Sequence, residues 1–287
     1  MNSGAIKSPW RTWPRWLLTM AIGLAVFFAL PVAIQGQAQA KKRPRLVRVF
    51  VALADNEHQS IAPVPAAIGN GDDAAHNLYW GASLGLRTYF RRARAWKEVS
   101  VTKNPSAAVL ERVVFRHKAS GTLMIADAYR GQEIIQATRD FFRAASGHDP
   151  EVAELAKALG NAKPEQQPLK PSLVVYIGHD VLMEPLALGQ FLVTPRHHSA
   201  GSDEREAIIL ACMSQRFFAP FLRPTGAKPL LWTRQLMAPE AYTLKGALDG
   251  WIAEEKPKRI LGRAAAAYAR YQRISKKAAR GVFATGW

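Results

Sequence analysis

The sequence predicts an α/β fold, a mostly parallel β-sheet with helices on both faces. Three observations carry that expectation. Four short runs, LVRVFVALA (46–54), SLVVYIGHD (172–180), AIILACMSQ (207–215) and KPLLWTRQ (228–235), are apolar with little polar alternation, the mark of strands buried on both faces. Stretches with apolar residues at helical spacing lie between them. The two kinds alternate along the chain, and alternation builds crossover units whose helices cover the sheet.

Taken in order, the chain opens with Lys7, Arg11 and Arg15, then an apolar stretch from Leu17 to Ile34, then Ala38-Gln39-Ala40 before Lys41. That is the pattern of a secretory signal peptide over 1–40. The apolar stretch is also near the length of an uncleaved membrane anchor. Pro31 and the small-residue site favour cleavage, and export to the periplasm or beyond. The first strand, 46–54, is followed by a Pro-, Gly- and polar-rich loop over 55–73. Asp72 or Asp73 then caps a helix through AAHNLYWGASLGLRTYFRRA, with Leu78, Leu84, Leu86 and Phe90 on its apolar face. VLERVVFRHK (109–118) and TLMIADAY (122–129) read as a hairpin. GQEIIQATRDFFRAAS (131–146) is an amphipathic helix, and 148–168 holds a short helix and a polar link.

The strands at 172–180 and 207–215 come next. A helix in SQRFFAPFLRPTG, closed by Pro224 and Gly226, leads to the strand at 228–235. Helices over 239–255 and 259–280 finish the chain, the last strongly basic. The expected division is a leader (1–40), an α/β domain (41–257) and a basic C-terminal helix (258–287).

The 287 residues carry a net charge of +17. Loss of a leader with three basic and no acidic residues would leave +14. Such a balance attracts anionic surfaces, which for an exported protein are envelope lipids or acidic polymers. The basic runs KKRPR (41–45), RRARAWK (91–97) and RISKKAAR (273–280) lie in no nucleic-acid module and carry no aromatic ladder, so nucleic acid is not an expected partner.

Cys212 is the single cysteine. An exported chain with one thiol has no internal disulfide, so the thiol is either buried and inert or kept for its chemistry. It ends an apolar strand, as His179 ends the strand before it. If those strands are parallel neighbours about 4.8 Å apart, the two side chains converge outside the carboxyl ends of the sheet, where ligands of open α/β sheets bind. An imidazole beside a thiol favours the thiolate and can later protonate a leaving amine. The dipole of the following helix acts in the same sense. Amides of residues 179–180 and of Cys212 are candidate oxyanion donors.

A buried strand ending in His, followed by one ending in Ala-Cys, resembles the caspase-like cysteine peptidases (caspases, metacaspases, gingipains, legumains and separase). The resemblance spans about residues 46–255, with its specific content in VVYIGHD and IILACMS. It implies a caspase-like three-layer sandwich, endopeptidase activity on a peptide or protein substrate, His179 as base and Cys212 as nucleophile. It implies no cofactor. Where the family has Gly after the His, this chain has Asp180, whose carboxylate would either repel the oxyanion or orient His179. That substitution raises a second reading, a catalytically silent domain that binds an envelope partner. Candidates for a third, orienting group are Asp127, Asp55 and Asn56, all near strand ends.

Other chemistry finds less support. His179, His197 or His198, and Cys212 hold zinc-ligand types, but the adjacent histidines lie in a polar loop. Asp72 and His76 have helical spacing, though capping explains the aspartates better. No Gly-x-Gly-x-x-Gly or Gly-Lys-Ser/Thr loop follows a strand, which argues against nucleotide binding. A serine-hydrolase elbow is not expected either.

Overall fold

The computed structural model describes residues 45–60, 63–149, 152, 170–193, 198–199 and 204–287. The expected leader, most of the helix and link at 148–168, and His197 lie outside the described residues. Among the described residues, no helix is long and apolar enough to cross a membrane.

The strands are β1 (Leu46–Ala52), β2 (Trp96–Lys103), β3 (Val109–His117), β4 (Leu123–Tyr129), β5 (Leu173–Ile177), β6 (Glu206–Leu210), β7 (Lys228–Thr233) and β8 (Phe283–Ala284). The helices are α1 (Leu86–Arg92), α2 (Ile134–Ala145), α3 (Pro185–Val193), α4 (Ser214–Leu222), α5 (Ala241–Ile252), α6 (Pro257–Gln272) and α7 (Lys276–Val282). The strands form one sheet in the order β2-β3-β4-β1-β5-β6-β7-β8. Its five central strands are parallel, and β2, β3 and β8 join antiparallel at the two sides. The expected α/β architecture is therefore present, as three layers.

Strand alternation sorts the core into two halves. Val47, Val49 and Val51 of β1 and Val175 and Ile177 of β5 face α1, α5, α6 and α7. Phe50 of β1, Tyr176 of β5 and Ile209 of β6 face α2, α3 and α4. All seven residues of β1 and all five of β5 are buried, which is why these strands read as unbroken apolar runs. Arg48 is the exception in β1 and stays buried by pairing with Asp127 of β4.

The chain leaves β1 for β2 at one edge, returns through β3 to β4 on that side, and later reaches β5 on the other side of β1. The ends of β1 and β5 thus flank a topological switch point, where a crevice opens outside the carboxyl ends. Gly178 lets the two ends come close. At φ +154° it takes a conformation that suits glycine, and an added Cβ would lie 3.0 Å from the Ala52 side chain.

Several elements differ from expectation. The helix expected from Ala74 is helical only over Leu86–Arg92. Asn77 is the cause, because its amide group binds both the N–H and the C=O of Ala54, at 3.1 and 2.8 Å, as well as the carbonyl of Asn70. These bonds hold the segment in turns against β1. The basic run 91–97 extends into an edge strand, β2, whose exposed polar residues gave no apolar signal. The single terminal helix expected over 259–280 is two helices. Arg273 is left-handed between them, and the Ser275 hydroxyl caps α7 through the Ala278 amide. Residues 258–287 are also part of the main body, since Ile260, Ala264, Ala265, Val282 and Phe283 are buried in its core and β8 pairs with β7.

Candidate active site

β5 and β6 are hydrogen-bonded parallel neighbours with Ile177 opposite Leu210. His179 and Cys212 each lie two residues beyond that pair, so the register brings them out at the same level. Both line one cavity of about 380 Å³, together with Ser60, Tyr79, Gly178, Met183, Leu236, Met237 and Pro239.

Local bonds fix each side chain. The Tyr176 hydroxyl donates to the His179 carbonyl at 2.9 Å, which sets the turn after β5. The imidazole Nε2 lies 2.8 Å from Oε1 of Glu184, and that oxygen also accepts from the Ser60 amide at 3.2 Å. With Nε2–H donating to Glu184, Nδ1 carries the free lone pair, the state a general base needs. Glu184 is thus the side chain that fixes the His179 ring, five residues after it and across a one-turn 3-10 helix (Val181–Met183). No periodic pattern marks that spacing.

Cys212 sits at a strained elbow. Met213, the next residue, is left-handed with φ 49° and caps α4. Ser214 and Thr233 lock the elbow to β7, with hydroxyls 3.1 Å apart and bonds to Ile209 and Ala211 of the β6 end. The sulfur donates to the Met237 carbonyl at 3.6 Å and accepts from the Met237 amide at 3.4 Å. At rest its hydrogen bonds go to this loop and not to His179. Burial pushes the thiol pKa up, the Met237 amide opposes that, and Asp180 adds to it. The resting sulfur is thus a neutral thiol, where the imidazole and helix dipole led the sequence to predict a favoured thiolate. Desolvation of the charged form is the largest influence on it.

The backbone amides divide clearly. Gly178 donates to Leu210 and Met213 donates to Gln235. Those of His179, Asp180 and Cys212 donate to no acceptor among the described residues.

Asp180 is fully buried. Its Oδ1 accepts from the Leu182 amide at 3.0 Å and caps the 3-10 turn, while Oδ2 has no hydrogen-bond partner. Burial raises its pKa to about 8, partly offset by the Leu182 and Met183 amides. Its hydrogen bond thus goes to the 3-10 turn and not to His179, whose Nε2 is held by Glu184 instead.

The other three orienting candidates lie elsewhere. Asp127 is fully buried in β4, where Arg48 and Arg112 both bind it. Burial alone would raise its pKa, but the two guanidiniums more than offset this and hold it below the ordinary carboxylate range. Asp55 accepts from the Glu57 and His58 amides and lies 2.9 Å from Nδ1 of His58, so the histidine it holds is another one. Asn56 clamps its own loop through both backbone groups of Val64. Each had the right residue type after or near a strand end, and each is turned to a structural task.

Asp72 and His76 are likewise separate. His76 is held by Asp73 at 2.7 Å and Asp72 by Arg130 at 2.5 Å. Gly81-Ala82-Ser83-Leu84-Gly85 does spell the serine-hydrolase elbow, so the pattern is present in the sequence. Its context is wrong, because turns precede it instead of a strand. Ser83 opens on a different cavity, beside Tyr89 and Arg92. Among the described residues, no cluster of three or more His, Cys, Asp or Glu could hold a metal ion.

No protein-family model matches the chain, and a search of curated proteins finds no match. The resemblance to caspase-like peptidases therefore stands on the residues alone.

Proposed function

We propose that the protein is an exported cysteine hydrolase of caspase-like type, an endopeptidase using Cys212 as nucleophile and His179 as base. The observation that carries this reading is the register of β5 and β6, which brings the two side chains to one cavity at the switch point. Because the thiol is neutral at rest, attack and deprotonation are coupled. Nδ1 of His179 takes the thiol proton as sulfur bonds to the carbonyl carbon, while the free amides of His179, Asp180 or Cys212 are available to the oxyanion. The tetrahedral intermediate expels the amine, which receives the proton from Nδ1, and a thioester remains. Water then adds, with Nδ1 taking its proton, and the C–S bond breaks as that proton returns to sulfur. Glu184 holds the ring and stabilises the imidazolium that forms twice in the cycle.

The leader-like start supports export. Exposed cations in 91–97 and 273–280 suit contact with an anionic envelope surface. A second reading, a silent domain that binds an envelope partner, is favoured by the desolvated thiol and its engagement by Met237.

Alkylation by iodoacetamide separates the two readings, since every event reports on Cys212. The hydrolase reading expects the folded full chain to react at neutral pH, with the rate falling on the order of 100-fold in His179→Ala. Alkylation that requires unfolding, or that ignores His179→Ala, would establish the silent domain instead.

A further inference from the structure

We infer that the enzyme selects an apolar side chain next to the scissile bond, held by Tyr79, Met183, Leu236, Met237 and Pro239, an inference that rests on the hydrolase reading above. Three observations carry it. Among the described residues, the lining of the cavity beside Cys212 has no charged residue except His179 itself. Three acidic groups next to lining residues in the chain or bonded to one are turned to other partners: Glu184 holds His179, Asp180 caps the 3-10 turn, and Glu240 accepts from the Tyr242 hydroxyl at 2.8 Å. Leu236 is 66% exposed at the rim, directly before the buried Met237 whose backbone holds the sulfur. The loop between β7 and α5 therefore binds the nucleophile and presents a large apolar side chain beside it.

Charge decides against the alternatives. An arginyl or lysyl side chain entering this cavity would lose its water with no carboxylate among the described lining residues to replace it. An aspartyl or glutamyl side chain would meet the same loss and, in addition, the field of Glu184 and Glu240. Burying an unpaired charge costs several times more than burying a polar neutral group. A leucyl, methionyl or phenylalanyl side chain loses nothing of this kind and gains burial against the thioethers and Tyr79. At about 380 Å³, the space falls in the range of ordinary small-molecule sites.

The test uses peptidyl chloromethyl ketones that differ only in the terminal side chain: leucyl, phenylalanyl, aspartyl and arginyl. The sulfur displaces chloride from the methylene carbon, forming a thioether, and the thiol proton passes to buffer with the chloride as HCl. Rates on the full chain are divided by the iodoacetamide rate of the same protein, which removes differences in intrinsic thiol reactivity. The expected result is a leucyl or phenylalanyl preference of at least about tenfold over both charged probes. In Leu236→Glu, an exposed position where folding is not at stake, that preference should shrink and the arginyl probe should gain. Fast, His179-dependent iodoacetamide reaction with equal or faster aspartyl or arginyl labelling would overturn the apolar assignment and leave the hydrolase reading standing. A folded protein inert to every reagent would overturn both.

Discussion

Two buried aspartates, one in β4 and one just past β5 with β1 between those strands, have opposite surroundings. Asp127, inside β4, is fully buried and receives two guanidinium groups, Arg48 from β1 and Arg112 from β3. Asp180, just beyond β5, is equally buried and is met only by backbone amides of its own 3-10 turn, with its second oxygen unpartnered. The first is held ionised below the ordinary range and the second stays protonated up to about pH 8. Burial is common to both, so neighbours alone set the charge. A saturated carboxylate cross-ties a sheet; an unsaturated one holds its proton to a higher pH.

The largest expected effect breaks the saturated side. Asp127→Asn leaves Arg48 and Arg112 short of a counter-charge in the core and should cost about 3–5 kcal/mol of stability at neutral pH. Urea unfolding measures it, and a loss below about 1 kcal/mol would show that Asp149, which also binds Arg48 at 3.2 Å, carries the pair. The sign with pH follows from the lowered pKa. Asp127 contributes above its unfolded value of about 3.9, and the contribution vanishes as pH falls through the folded value. The gap between parent and variant should therefore close in acid.

Asp180 should give the opposite slope. Its folded pKa of about 8 lies above the unfolded value of about 3.9, so the folded state binds the extra proton between them. Stability from this group is fully present below about pH 4, declines as pH rises to about 8, and is level beyond. Asp180→Asn keeps the cap to Leu182 and removes the slope. Relative to the parent, it should gain stability steadily between pH 4 and 8, by a few kcal/mol in total. A pH-independent difference would mean that Asp180 is ionised in the fold.

The smallest expected effect touches the histidine. Glu184→Gln retains an acceptor for Nε2 but not the charge, and Glu184 is partly exposed, so screening limits the loss. The neutral-pH alkylation rate should fall a few-fold, about tenfold at most. Glu184→Ala should cost more, and rescue by Gln relative to Ala would mark a positioning role. A rate unchanged in both would remove Glu184 from the site.

Much of the fold was legible because a strand buried on both faces has no room for polar residues, and β1, β5, β6 and β7 display that directly. The polar edge strand β2 and the two-residue β8 left no such trace. The same legibility extends to His179 and Cys212, each a reactive residue stopping an apolar run. Even Asp127 could have been read correctly. A lone Arg48 inside a fully buried strand requires a carboxylate on an adjacent strand, and Asp127 is the acid inside the apolar run of β4.

What the sequence determined by itself is local: which runs are strands, which face is apolar, and which reactive groups end a strand. Those follow from burial and periodicity, properties of consecutive residues. The partners of the reactive groups depended on tertiary structure. Glu184 reaches His179 across a 3-10 turn, Met237 reaches Cys212 from 25 residues away, and the Asp180 pKa is raised because the surrounding fold excludes water. Electrostatic character is a sum over neighbours in space, and only the folded chain chooses those neighbours.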